Sequence, residues 1–509
     1  MRNALIAEEA WPTARPGPGE RDVVTMVKES SYKWTVLLIA CIGSMMGPLD
    51  STIVSVSLPT ISQSLGMDFA LSVWIPTAYL VTLASLLLTF GRLSDVRGRK
   101  PLFIAGFGVF VLGSFLCSFA RSGEELIIFR IVQGLGAAGM MSTATALVTG
   151  AFPPNERGKA LGINAMSVYI GLTLGPPLGG ILTQAFGWPS IFLVNVPIGL
   201  LVMALAAWKL KEPAVESSGK GFDLAGAVTF AMALVTFLVA LTIGDDAGWT
   251  SATVLSLLAV TAASLAAFIL AERRKGPDAM LHLDLITRNR LFAAANISTL
   301  LNYTAYFGVS FIIAFYMERV LGLDLYTTGL VLLSMPLVMS VLSPLAGHLS
   351  DKIGSRALAS GGMLIVALGL ALLATLGEGS TTFEVVVYLV ITGIGMGLFS
   401  SPNTSAVMGC VERSQLGVAS GTLSTMRTIG QSLSLAVMGA VMASVASTEV
   451  VSALFSGAMD GGSPVIIDEF VRGMSLAFLV SAGIAVAAAI TSLARGKPQA
   501  CETPSGPRP

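Results

Sequence analysis

From about residue 34 to residue 493 the chain alternates long apolar blocks with short polar joints. A helix that crosses a hydrocarbon layer about 30 Å thick needs about 20 mainly apolar residues at 1.5 Å of rise each. Fourteen blocks reach that length: 34–58, 72–91, 101–120, 126–148, 159–183, 188–208, 222–243, 251–271, 291–316, 327–347, 357–376, 385–408, 417–444 and 471–493. Only helices and closed barrels satisfy every backbone donor in lipid, and these blocks are about twice as long as barrel strands. The pattern therefore predicts an all-α integral membrane protein.

Composition agrees, with 54% hydrophobic and 12% charged residues against about 25% charged in an ordinary soluble domain. Thirty Lys and Arg balance thirty Asp and Glu, so net charge points to no nucleic-acid partner. The placement of charge says more. With the N-terminus on the cytoplasmic side, 25 of the 30 cations fall in the lead-in, the inner loops and the tail, and only Arg121 and Arg319 fall in outer loops. Cations mark cytoplasmic loops, so the expectation is a multi-pass protein of the cell membrane with both termini inside. Residues 1–33 read as a cytoplasmic segment with no apolar core of a secretory signal, residues 494–509 as a cytoplasmic tail, and 445–470 as an outer loop. Cys41, Cys117, Cys410 and Cys501 follow no paired spacing and read as free thiols. His282 and His348 lack metal-ligand spacing. No GxxxxGK[ST] loop is present, so an ion gradient rather than ATP is the expected energy source.

The chain also repeats itself. GRLSDVRGRK at 91–100 returns as GHLSDKIGSR at 347–356, and Gly158, Ala160, Gly162 and Gly171 return as Gly417, Ala419, Gly421 and Gly430. Two six-helix bundles, 34–208 and 291–493, then flank two inserted helices and a cytoplasmic linker at 209–290. Repeated halves around a midplane site are a recurrent design of secondary transporters, because one bundle can rock against the other.

Several segments resemble motifs of the major facilitator superfamily, in particular its 14-span drug/proton antiporters of the EmrB/QacA type. They are LDSTIVSVSLP (49–59), GRLSDVRGRKPLF (91–103), LIIFRIVQGLGAA (126–138), GLTLGPPLGG (171–180) and IFLVNVPIG (191–199). The sequence departs from the family at Ser55, Ser57 and Val96 and in the WPS of 188–190. The resemblance implies a major facilitator fold and proton-coupled export of small lipophilic or cationic compounds by alternating access. No cofactor is then expected beyond the proton gradient, and recruitment of a periplasmic adaptor stays open. Export of one endogenous metabolite, or a non-transporting sensor on the same scaffold, are the competing readings. No base, nucleophile or metal cluster converges to suggest an enzyme.

Candidate residues follow from motif and position. Asp50 lies about eight residues, roughly 12 Å, from the outer end of its span, and Arg130 about 6 Å inside its own. Both thus occupy the outer half of the bilayer, where charge is costly and marks function. They are the expected proton-coupling pair, with a static ion pair as the plainer alternative. Gly171, Gly175 and Gly179 fall on one helical face beside Pro176 and Gly180, and are expected to form a tight seam sealing the two halves. Gly91, Asp95, Arg97, Gly98 and Arg99, with Asp351 and Arg356 in the second copy, form the expected cytoplasmic gate loop. There Asp95 is expected to meet neighbouring cations and the start of the third span. Asn164, Tyr169, Asn296, Asn302, Tyr303, Tyr306 and Arg427 are candidates for a substrate cavity.

Overall fold

The computed structural model describes residues 18–67, 69–211, 222–275, 279–281, 283–445 and 464–495. The start of the lead-in, most of the outer loop, His282 and the tail with Cys501 lie outside the described residues. Among those described, 13 helices are long and apolar enough to cross a membrane. They are α1 (Ser31–Leu65), α2 (Leu71–Arg97), α3 (Arg99–Cys117), α4 (Gly123–Ala151), α5 (Pro154–Phe186), α6 (Ser190–Lys209), α7 (Leu224–Gly244), α8 (Ala252–Lys275), α9 (Arg290–Val320), α10 (Tyr326–Ile353), α11 (Ser355–Leu373), α12 (Thr382–Gly409) and, after the next block, α14 (Ile467–Leu493). The remaining expected block, 417–444, is the 30-residue helix α13 (Leu416–Val445), whose first half is rich in Ser, Thr and Gly and carries Arg427.

The packing has a twofold logic. In the first half α1 packs on α4 and α5, α2 on α4, and α3 on α4 and α6; in the second, α9 packs on α13 and α14, α10 on α12, and α11 on α12 and α14. Beside lesser contacts of α12 with α5 and α13 with α4, two extensive ones join the halves, α5 with α10 and α13 with α2. These are equivalent pairs under the repeat read from the sequence. The inserted helices α7 and α8 pack on each other and α7 leans on α2 and α13, where Phe230, Leu234 and Phe268 share an apolar cluster with Leu88 and Val418. Their termini are pinned locally: Asp223 accepts from the Gly226 amide at 3.0 Å, and Glu272 from the amides of Met280 and Leu281 at 3.2 and 3.0 Å.

Glycine makes the joins possible. A Cβ on Gly417 would stand against the carbonyl oxygen of Gly91, and one on Gly347 against that of Gly158, so backbone meets backbone at both crossings. The loop glycines Gly98 and Gly354 hold φ of 98° and 86° with extended ψ, a region closed to residues with a side chain. Each forms the short turn into the following helix. If the crossings depend on bare backbone, Gly417→Val should force α13 from α2. Spin labels at the exposed Arg97 and Glu412, with native cysteines replaced, should then report a longer distance; an unchanged distribution would refute this role.

Candidate functional site

Five helices of the first half converge on one carboxylate. Asp50 in α1 is 1% exposed and accepts from Arg130 Nη1 at 2.6 Å, Gln133 Nε2 at 2.8 Å and Asn195 Nδ2 at 2.9 Å. Arg130 and Gln133 stand three residues apart on α4 and so share a face. Asn195 comes from α6, while α3 supplies Ser114, whose hydroxyl oxygen accepts from Gln133 at 2.8 Å. Arg130 also donates to the Gln133 Oε1 at 2.6 Å and to the Ile75 carbonyl of α2 at 3.2 Å, and its guanidinium lies 4.2 Å from the centre of the Tyr79 ring. The expected pair therefore forms, inside a larger cage than the sequence suggested. Gln133 and Asn195 were visible only as polar members of the FRIVQG and LVNVPIG segments.

The cage pairs one carboxylate with one guanidinium and two side-chain amides. Removing one member of such a buried ion pair, as a substitution at Asp50 or Arg130 would, costs about 3–5 kcal/mol. Part of the cage is already unsatisfied: Arg130 Nη2, Asn195 Oδ1 and the Tyr79 hydroxyl are buried without a partner. These atoms have hydrogen-bonding capacity that a water or a rearranged side chain can take up.

Behind Asp50 lies the glycine face of α5. A Cβ at Gly171 would meet the Met45 carbonyl at 2.6 Å, at Gly175 the Thr52 side chain, and at Gly179 the Ile53 carbonyl at 3.0 Å. This seam lies between α5 and α1 within the first half, whereas the expectation had placed it between the halves. The reason is rotational: the face carrying residues 171, 175 and 179 points at α1, and α5 reaches α10 through Gly158 and Gly162 nearer its start. The helix runs on through Pro176 and Pro177, and nothing stands within 4 Å of a Cβ on Gly180.

The gate loops meet the opposite half. Asp95, in the last turns of α2, accepts from the backbone amides of Gly417 at 2.8 Å and Val418 at 2.9 Å. Asp351, at the equivalent place in α10, accepts from Gly158 at 2.8 Å and Lys159 at 2.9 Å. Each carboxylate thus caps the positive end of a helix from the other bundle. Asp95 was expected at α3, but it shares a face with Gly91 one turn earlier, and Gly91 is where α13 touches α2. Arg99 does meet Asp95, at 3.3 Å, and also donates to the Arg413 carbonyl. Arg97 and Arg356 are exposed. The glycines that supply the capped amides, Gly158 and Gly417, went unassigned in the sequence, although the repeat had paired them.

Between cage and clamps, a cavity is lined by residues of both halves, among them Asn164, Tyr169, Tyr303, Ser400, Thr404 and Arg427. Four of the expected cavity residues therefore meet. Asn164 accepts from Ser44 at 2.9 Å, and Arg427 lies 5.2 Å from the centre of the Tyr303 ring. Tyr306 packs in the second-half core with its ring 5.3 Å from that of Tyr303. Asn302 is fully buried with both amide atoms unpartnered, and Asn296 donates to the Phe292 carbonyl within its own helix. The cavity volume is about 40 Å³, room for water and far below the roughly 300 Å³ of small ligand pockets.

The chain and its fold match known proteins. The chain belongs to the Major Facilitator Superfamily, whose family model matches residues 40–283 and 295–507. It is 36% identical over 405 residues, 79% of this chain and 87% of the relative, to the riboflavin transporter RibZ of Clostridioides difficile. It is 34% identical over 408 residues, 80% of this chain and 75% of the relative, to the multidrug resistance protein Stp of Mycobacterium tuberculosis. The crystal structure of the human organic anion transporter MFSD10 aligns over 90% of this chain and 99% of its own with a TM-score of 0.64 at 15% identity, which shows a shared fold. The protein is thus a multi-pass membrane transporter and not an enzyme.

The clamps should hold this end closed. A hydrogen bond to a charged group contributes about 1.5–3 kcal/mol, so the double variant Asp95→Asn, Asp351→Asn should shift the opening equilibrium about tenfold or more. Maleimide labelling of a cysteine at the buried Val418 should accelerate accordingly, and an unchanged rate would show that the clamps do not gate.

Proposed function

We propose that this transporter is a proton-coupled antiporter that exports small solutes by alternating access, with Asp50 as the acid that takes up and releases the proton. The observation that carries this reading is the placement of one buried carboxylate in a cage of neutral amides and a single guanidinium. An ionisable group enclosed within spanning helices is costly to keep there and marks function. The clamped end carries the loops richest in Lys and Arg, which makes it the cytoplasmic end in a cell membrane. The state described then has its cytoplasmic gate closed, and the outer half, where Asp50 lies, is the side from which a proton would enter. The multidrug relatives support export of varied compounds; the riboflavin transporter supports one metabolite as cargo, and the same machinery would serve both. A growth-inhibition panel with and without expression separates these two.

Asp50→Asn should abolish substrate-driven proton movement in energised inverted vesicles while the protein still inserts and purifies as a folded species. Retained proton release on adding substrate would reject the role. Gly175→Leu should do comparable damage by a different route, since its side chain would collide with Thr52 two residues from Asp50; full transport by that variant would remove the seam from the mechanism.

A further inference from the structure

Arg427 sits in the middle of the molecule with its charge uncompensated. It lines the central cavity, its Nε is buried without a partner, and its surroundings are the aromatic hydroxyls of Tyr169, Tyr303 and Tyr306. No Asp or Glu lines the cavity among the described residues. The buried acid of the first half, Asp50, is already taken by Arg130 and the two amides, so that pair carries no surplus negative charge to offset Arg427. An ionised guanidinium in a water-poor site needs a counter-charge, and here the protein supplies only rings and hydroxyls.

We infer that the cavity is built for an anionic, planar aromatic solute, whose negative group pairs with Arg427 and whose ring packs against Tyr169 and Tyr303. Asn164, Ser400 and Thr404 offer it hydrogen bonds. This inference rests on the reading of the cavity as the transport site, and it replaces the lipophilic cation that the sequence motifs suggested as cargo. A cation in this cavity would meet Arg427 with no acid at hand, and repulsion of like charges is strong where water is scarce. Planarity follows from the tyrosines, which offer faces and edges for stacking at little conformational cost.

Two dyes with the same xanthene skeleton and opposite charge, fluorescein and rhodamine 123, test the charge rule. Binding to the purified full chain in lipid nanodiscs, followed by fluorescence anisotropy without any gradient, should show fluorescein bound at least about tenfold more tightly. Arg427→Gln should bring the two within about twofold, and Arg427→Lys should keep the order. Thr404→Asp, which adds an acid to the same cavity while leaving Arg427 in place, should also erase the preference, so the result does not depend on the folding of one variant. Rhodamine 123 binding as tightly as fluorescein, no fluorescein binding, or a tenfold preference that survives Arg427→Gln would overturn the inference. Because no proton gradient enters the measurement, failure of Asp50 as the coupling acid would leave this comparison intact, and the two failures are distinguishable.

Discussion

A charge placed where water is scarce must be answered by another charge or by aligned backbone dipoles, and the organisation of this protein follows from how each such debt is met. Asp50 is answered by side chains of its own half: Arg130, Gln133 and Asn195. Asp95 and Asp351 are answered by amides at the start of helices from the other half. The difference has a mechanical meaning. A cage closed within one bundle travels with that bundle when the halves rock, whereas a clamp between bundles must break. The first arrangement moves as one unit with its bundle, and the second suits a latch.

One helix belongs to both. At its start α5 presents the Gly158 and Lys159 amides to Asp351 of the second half, and further along its glycine face lies on α1 from Met45 to Ile53, the stretch that holds Asp50. A shift of α5 on opening is therefore applied to the back of the helix that carries the acid. The second half has the same framework with different chemistry. There Gly430 of α13 packs against Leu300 and Tyr303 of α9, but the repeat position of Gly175 is Ser434, whose hydroxyl accepts from the Gly308 amide at 2.9 Å where α9 is interrupted. The first half thus carries the buried acid and the sliding glycine seam, and the second carries the hydrogen-bonded seam and the aromatic, cationic wall of the cavity.

Much of this was legible in the chain, for physical reasons that also explain what was not. Lipid forces long apolar blocks, so the spans could be read directly, and counting residues from a span end placed Asp50 and Arg130 at similar depth. The repeat was legible because both halves solve one packing problem, and it flagged Gly158 and Gly417 without revealing what they pack against. The partners of Asp95 lie 322 and 323 residues away, and no local pattern encodes such a pairing. Gln133 and Asn195 escaped notice because a buried amide most often cross-links helices, and only the shared approach to Asp50 sets these two apart. Asn302 and Tyr306 were plausible cavity residues by type; the rotation of α9 about its axis, which periodicity left loose, buries them instead.

The same constraint separates the contacts that can part at the gate from those that stay closed in the cage. At both crossings glycine meets glycine, so separating α13 from α2 and α5 from α10 there undoes little interdigitated side-chain packing. The clamp carboxylates and the amides they hold lie at the ends of their helices, where the loops reach solvent, and water can take up part of what the broken hydrogen bonds lose, leaving about 1.5–3 kcal/mol for each. Nothing comparable is on offer to Asp50 or Arg130, each enclosed by five helices, so thermal rocking of the bundles will break the clamps long before it breaks the cage. A cavity that now has room for little more than water must in turn widen before a solute of ordinary size can enter it.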